Sequence, residues 1–307
     1  MAMNLIMRST ASALFIAASL QAIIPSALAA TSSGTKPVAK SAPQHSGITW
    51  SHDYYGAYRE ASRQNKMLLV YLAPPAGSST GQSIDASLAA RADVQTKLAQ
   101  VVLCRLPQDA TIEVEGQAKR LASFAAFNEL HGGPGFVMID LAHKSAPYYG
   151  HAVTALPLAS GKYYRWSVDG LAAAIDLPAG TITQRTLIWA VRTHPEGPQS
   201  TFGGFDPSLA SGAAQQASYQ AQVQQCGHQN FEQRFHQLSA AAGTSVTEVC
   251  AESWPGQTMI DSCVDCVLSW RQSSGHWRGV SRPHRVFGYD IRRGANGIWY
   301  GTGLFAD

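Results

Sequence analysis

The sequence predicts an α/β protein in which helices cover sheets, and three observations carry that prediction. Strand-length apolar runs, Lys66-Met-Leu-Leu-Val-Tyr-Leu72, Val101-Val-Leu-Cys-Arg-Leu106 and Gly135-Phe-Val-Met-Ile-Asp-Leu141, alternate with stretches of helical periodicity. Nearer the C-terminus, two long helical runs are followed by a glycine-rich hairpin pattern. Hydrophobic residues make up 45% of the 307 residues and charged residues 14%, which supplies real cores and excludes a disordered body. Lys and Arg number 23 against 20 Asp and Glu, for a net charge of +3 with no basic block to concentrate it. A nucleic-acid surface is therefore not expected.

Residues 1–30 hold one positive charge, Arg8, then the run Ala11-Ser-Ala-Leu-Phe-Ile-Ala-Ala-Ser-Leu20, then Ala27-Leu-Ala29. A short apolar stretch ending in small residues reads as a signal peptide, cleaved near Ala29 or Ala30. Gln21 and Pro25 interrupt the run too early for a bilayer crossing, which needs about 20 apolar residues. The expected product is exported, to the periplasm, the cell surface or the medium. It has no transmembrane segment, and losing Arg8 lowers its charge from +3 to +2. Residues 31–47, rich in Ser, Pro, Gly and Lys, read as a flexible linker.

The first domain is expected over 48–177. Asp53–Gln64 reads as a helix, Lys66–Leu72 as a buried strand, Ile84–Leu98 as a helix and Val101–Leu106 as a strand. Val114–Leu130 reads as a further helix and Gly135–Leu141 as a strand entered through Pro134. Strands separated by helices of this length imply a mainly parallel or mixed sheet. The order resembles the thioredoxin-like fold, in which an active-site loop follows the first buried strand and a cis-proline precedes a later one. Here that loop is Ala73-Pro-Pro-Ala-Gly-Ser-Ser79, which has no thiol, so the resemblance implies a redox-silent module. Pro134 stands at the cis-proline position, where an ordinary trans proline is equally consistent with the sequence. Cys104, inside a strand, reads as a small buried hydrophobe.

Residues 178–204 form a connecting helix and linker, with Thr181 or Thr183 as cap and Leu187, Ile188, Ala190 and Val191 on one side. The second domain is expected over 205–307. Asp206-Pro207 is a helix start, an acceptor followed by proline at the first helical position, and the Ala/Gln-rich run continues toward Gln225. A short segment Asn230–Leu238 follows, then a Gly/Ser/Thr loop to Glu248. Between Pro255 and Ser274, Ile260, Cys263, Val264, Val267, Leu268 and Trp270 share one helical face, with Gly275 as the expected left-handed stop. Arg285–Ile291 and Ile298–Phe305 flank Gly294-Ala-Asn-Gly297 as a hairpin.

Three stretches of this second half resemble the SCP-like/CAP superfamily (cysteine-rich secretory, antigen 5 and pathogenesis-related proteins). They are Ala213-Ala-Gln through Cys226-Gly-His228 and on to Arg234, Ala251-Glu-Ser253 at the family's Gly-Glu-Asn, and Trp270-Arg-Gln-Ser-Ser-Gly-His276 at its Trp-x-x-Ser-x-Gly-His. The resemblance implies an α-β-α sandwich whose shallow cleft gathers His228, Glu252 and His276. Two neutral imidazoles and a carboxylate can hold a divalent metal such as zinc with a position left open, or form a polar cleft. Ser253 replaces the family's asparagine, and no glutamate lies in the helix before Trp270, leaving Asp261 or Asp265 as substitutes for a second acid. Read singly, His276 is also an ordinary helix-end residue and Glu252 a first-turn charge for the next helix.

Export favours disulfides among Cys226, Cys250, Cys263 and Cys266, in three alternative pairings. Cys263-Val-Asp-Cys266 on a helix, with no second Cys-x-x-Cys, suits a disulfide or core role better than a zinc knuckle or redox pair. No Gly-x-Ser-x-Gly, His-Glu-x-x-His or P-loop pattern is present, so no catalytic residue is assigned. The expected function is non-enzymatic binding of a small molecule, a lipid, a metal or a protein partner in the His/Glu cleft. The alternatives are a metal-assisted hydrolase using the same groups and a cell-surface interaction scaffold.

Overall fold

A computed structural model describes residues 48–307, which belong to one compact unit. The signal segment 1–30 and the linker 31–47 lie outside the described residues. The chain mixes helices and sheets, as an α/β class requires.

The first region is built on a mixed sheet of β1 (Leu68–Ala73), β2 (Val102–Pro107), β5 (Gly135–Ile139) and β6 (Ala152–Pro157), in the order β2-β1-β5-β6. β1 and β2 run parallel with Val70 opposite Cys104, whereas β5 is antiparallel to β1 and β6 antiparallel to β5. All six residues of β1 are buried, which is why it reads as an unbroken apolar run. Helix α1 (Tyr54–Gln64) precedes β1. After the loop at Pro74–Ser78, α2 (Ser79–Ala90) begins on the Ser78 hydroxyl, which accepts from the Gly81 N–H at 3.1 Å. Residues 84–98, expected as one helix, divide at Arg91 into α2 and α3 (Ala92–Leu98).

The helix expected over 114–130 is not there. Thr111–Val114 and Gln117–Arg120 pair as a hairpin, β3 and β4, followed by two short 3₁₀ turns at Leu121–Ser123 and Ala125–Leu130. Glu115 and Gly116, at φ of 55° and 74°, make the tight turn in which both central residues are left-handed. A turn of that hand stops a helix before its apolar spacing can count. No peptide bond among the described residues is cis, so Pro134 is a trans proline.

Helix α4 (Val168–Ile175) leads to α5 (Ile182–Arg192), which starts on the hydroxyl of Thr181, the first of the two threonines expected as its cap. Gln184 reaches back to the Thr181 N–H and closes a capping box. Arg185 on α5 is almost wholly buried, yet every arm of its guanidinium finds an acceptor. Nε donates to the Val153 carbonyl and Thr154, Nη1 to the carbonyls of Leu177 and Pro178, and Nη2 to that of Ala174. Burial pushes its pKa down to about 10, and the charge of Asp140 partly offsets this.

The second sheet comprises β7 (Gly204–Phe205), β8 (Val246–Glu252), β9 (Val286–Arg293) and β10 (Trp299–Ala306), in the order β7-β9-β10-β8. Helices cover both faces. α6 (Pro207–Val223), capped by Asp206 as expected, and α7 (Phe231–Ala242) lie on the side of Val246, Thr302 and Leu304. α8 (Met259–Gln272) and α9 (Ser274–Ser281) lie, with α5, on the side of Val249 and Phe305. Close approach sets the glycines here: a Cβ on Gly288 would stand 2.2 Å from the Ala210 nitrogen of α6. Residues 255–274 contain α8, but Gly275 is no left-handed stop. Ser273 alone turns extended, and Gly275 stands inside α9. The main apolar cluster runs from Leu69 and Tyr71 through Leu187 and Ile188 to Val249 and Phe305, joining both sheets around α5.

Candidate functional site

Strand β8 begins at Val246, inside the loop expected up to Glu248, and its alternation decides the site. Val246, Glu248, Cys250 and Glu252 point to the α6/α7 face, while Val249 and Ala251 enter the main core. β8 is the sheet's edge, so groups approaching from the α6–α7 loop and from α9 can meet across it.

His228 comes from the α6–α7 loop. Two buried glutamines one helical turn apart on α6 clasp the Gly227 peptide before it: Gln216 donates to the Gly227 carbonyl at 2.8 Å, and Gln220 accepts from its N–H at 3.1 Å. Gln220 also donates to the Thr302 hydroxyl at 2.9 Å, anchoring the loop to β10. Gly227, at φ of 155°, makes the bend that an L side chain rarely allows. His276 comes from the first turn of α9, a start made possible by the break at Ser273.

These two histidines meet: Nε2 of His228 lies 3.4 Å from Nε2 of His276. On its other side His228 Nδ1 donates to Glu248 Oε1 at 3.0 Å. Arg234, one turn into α7, grips the same carboxylate, with Nη1 2.8 Å from Oε2 and Nη2 3.1 Å from Oε1. The Glu248 side chain is 1% exposed, and these two partners are what allow a carboxylate to be buried there. The carboxylate also fixes the tautomer of a neutral His228, whose bare Nε2 then faces His276. Burial, and secondarily the neighbouring His228, holds the His276 pKa below the ordinary imidazole value.

The sequence thus named both histidines, and the structure brings them together. The carboxylate it brings to them is Glu248, which the sequence reading missed. Glu252 lies four residues further along β8, about 13 Å away at roughly 3.3 Å per residue, and is exposed. It acts instead on thiols: burial first, and Glu252 second, push the Cys226 thiol up to about 12. Burial likewise raises Cys266, with Glu252 among the lesser causes. Asp261 serves structure, accepting from the Tyr163 and Tyr164 N–H groups at 2.7 and 2.8 Å. Asp265 is buried on α8, which raises its pKa. All five cysteines are thiols, so the bridges expected among Cys226, Cys250, Cys263 and Cys266 are not formed here, and Cys104 is buried in β2 as expected. Cys250 lies beside Glu248 on the cleft face, its Sγ 3.9 Å from the Thr302 hydroxyl.

Two ligands of a tetrahedral zinc ion, each about 2.05 Å from it, stand about 3.4 Å apart. The two Nε2 atoms are at that separation, and a histidine tied by its other nitrogen to a buried carboxylate is the usual form of a metal-bound imidazole. The side chains present therefore fit a divalent transition metal. Compared with protein-family models, with curated proteins and with solved structures, the chain has no match.

Proposed function

We propose that this is an exported binding protein in which His228 and His276 hold a divalent metal, zinc by preference, with open positions for water or a small ligand. The observation that carries the reading is the 3.4 Å spacing of two Nε2 atoms, one of them on a ring oriented by Glu248. The helix–sheet–helix layering of residues 205–307 and the order of the two histidines support an SCP-like origin for this region. The order of α1, β1, α2, α3, β2, β5 and β6 supports a thioredoxin-like origin for the first, whose loop between β1 and α2 lacks thiols. Binding is favoured over hydrolysis because Glu248, the carboxylate beside the pair, is committed to His228 and Arg234 and so is poorly placed to take a proton from a metal-bound water.

Zinc titration of the reduced, metal-stripped protein by calorimetry tests this. One ion per chain is expected, and His276→Ala should weaken binding by more than about a hundredfold, beyond the effect of losing an outer partner. Absence of binding by the unmodified protein, or equal affinity in the variant, overturns the reading.

A further inference from the structure

We propose that Gln216 and Gln220 are positioning residues for the cleft, holding the N–H and the carbonyl of Gly227 so that the His228 ring stands between Glu248 and His276 before any ion arrives. The inference rests on the metal reading above and names, on another helix, the groups on which the geometry of the histidine pair depends.

The turn that presents His228 is one the chain does not favour. Gln224, Gly227 and Asn230 have φ of 55°, 155° and 57°, so a glycine and two residues with side chains take positive φ in one short connection. Such conformations persist only where the surroundings over-determine them. Here the surroundings are the buried face of α6. The Gln220 main-chain carbonyl accepts from the Gln225 N–H at 3.1 Å, and its side chain, 0% exposed, accepts from the Gly227 N–H and donates to Thr302. Gln216, 2% exposed, donates to the Gly227 carbonyl and, at 3.1 Å, to Gln229 Oε1. Both main-chain groups of the residue before His228 are thereby taken.

The two amides work with opposite polarity, which makes their roles separable. At 220 the Gly227 N–H needs an acceptor, and the Thr302 hydroxyl can donate as readily as accept. A carboxylate can therefore stand in for Gln220. At 216 both partners are acceptors, so a carboxylate there would face two oxygens and release the loop.

The test compares zinc affinity, by calorimetry on the full reduced chain, with the His228 tautomer, read by long-range proton–nitrogen NMR on the metal-stripped protein. The unmodified chain should carry the His228 proton on Nδ1, facing Glu248. Gln220→Met, which keeps the volume and loses both side-chain bonds, should mix the tautomers and weaken zinc at least about tenfold. Gln220→Glu should recover most of that loss, whereas Gln216→Glu should show it in full. His284→Ala, destabilised away from the cleft, is the control for a purely structural loss and should keep the tautomer. Equal losses in the two glutamate variants, or a fixed tautomer with full zinc affinity in Gln220→Met, would overturn the positioning role and leave the metal reading standing. No zinc bound by the unmodified protein would remove the metal reading, and the tautomer alone would then decide the clasp.

Discussion

Two histidine–carboxylate pairs in the second region make opposite use of the same contact. In His228–Glu248 the carboxylate is buried, at 1% exposure, and the ring is 44% exposed. In His284–Asp307 the ring is buried, at 1%, and the carboxylate is 56% exposed. The second ring nitrogen follows burial. His284 Nε2 meets the Gly279 carbonyl at 2.7 Å, and the ring lies flat on Phe305, 4.7 Å between centroids, so nothing is left over for a ligand. His228 turns its second nitrogen outward to His276. A histidine held by a buried acid is thus aimed, whereas one held by an exposed acid is anchored.

Substitutions can break or sharpen this contrast. The largest effect on stability is expected at the anchored ring. His284→Ala removes a stacked buried side chain with two hydrogen bonds and should cost about 3 kcal/mol, roughly 8 °C in Tm, with zinc affinity unchanged in calorimetry. If instead metal binding fell while Tm held, the two roles would have to be exchanged.

Glu248→Gln should show both effects at lower amplitude. It leaves Arg234 without its ion pair, about 2 kcal/mol by denaturant unfolding, and weakens zinc about tenfold by loosening the ring orientation. His276→Ala should change stability by less than about 1 kcal/mol while removing the ion, since the ring is partly exposed and packs against the other histidine.

The smallest effect is on acid sensitivity. The His276 pKa is lowered in the folded chain, so the unfolded chain binds more protons between that value and the ordinary 6.5. Its contribution is complete above 6.5 and is lost as pH falls through the folded value. His276→Gln should flatten the rise of unfolding free energy with pH over that interval, and an unchanged slope would assign the acid sensitivity elsewhere.

What the sequence made legible was local. The Thr181 cap, one of two threonines expected there, the Asp206-Pro207 start of α6, the β9–β10 hairpin and the two histidines each depend on neighbours within a few positions. What escaped was non-local or cut short by one residue. Glu248 looks like a surface charge until Arg234 and His228 arrive from fourteen and twenty positions away to bury it. The same carboxylate in the middle of β8 also hid the strand, because an acid on an inward-facing position breaks the apolar alternation. The false helix over 114–130 had adequate spacing but contained Glu115-Gly116, a turn whose handedness no periodicity records. Gly275 shows the reverse error: glycine is a common helix terminator, yet here Ser273 ends α8 and Gly275 opens the next turn.

The apolar cluster around α5 has a practical bearing on anyone wishing to isolate the histidine cleft. Leu187 and Ile188 belong to the same apolar cluster as Phe136 and Met138 of one sheet and Phe287 and Tyr289 of the other. A fragment begun at residue 205 would lose that strut and present Phe287, Tyr289 and Val267 to solvent. Such a piece should form inclusion bodies, whereas a fragment that starts at about residue 48 keeps both walls of its interior.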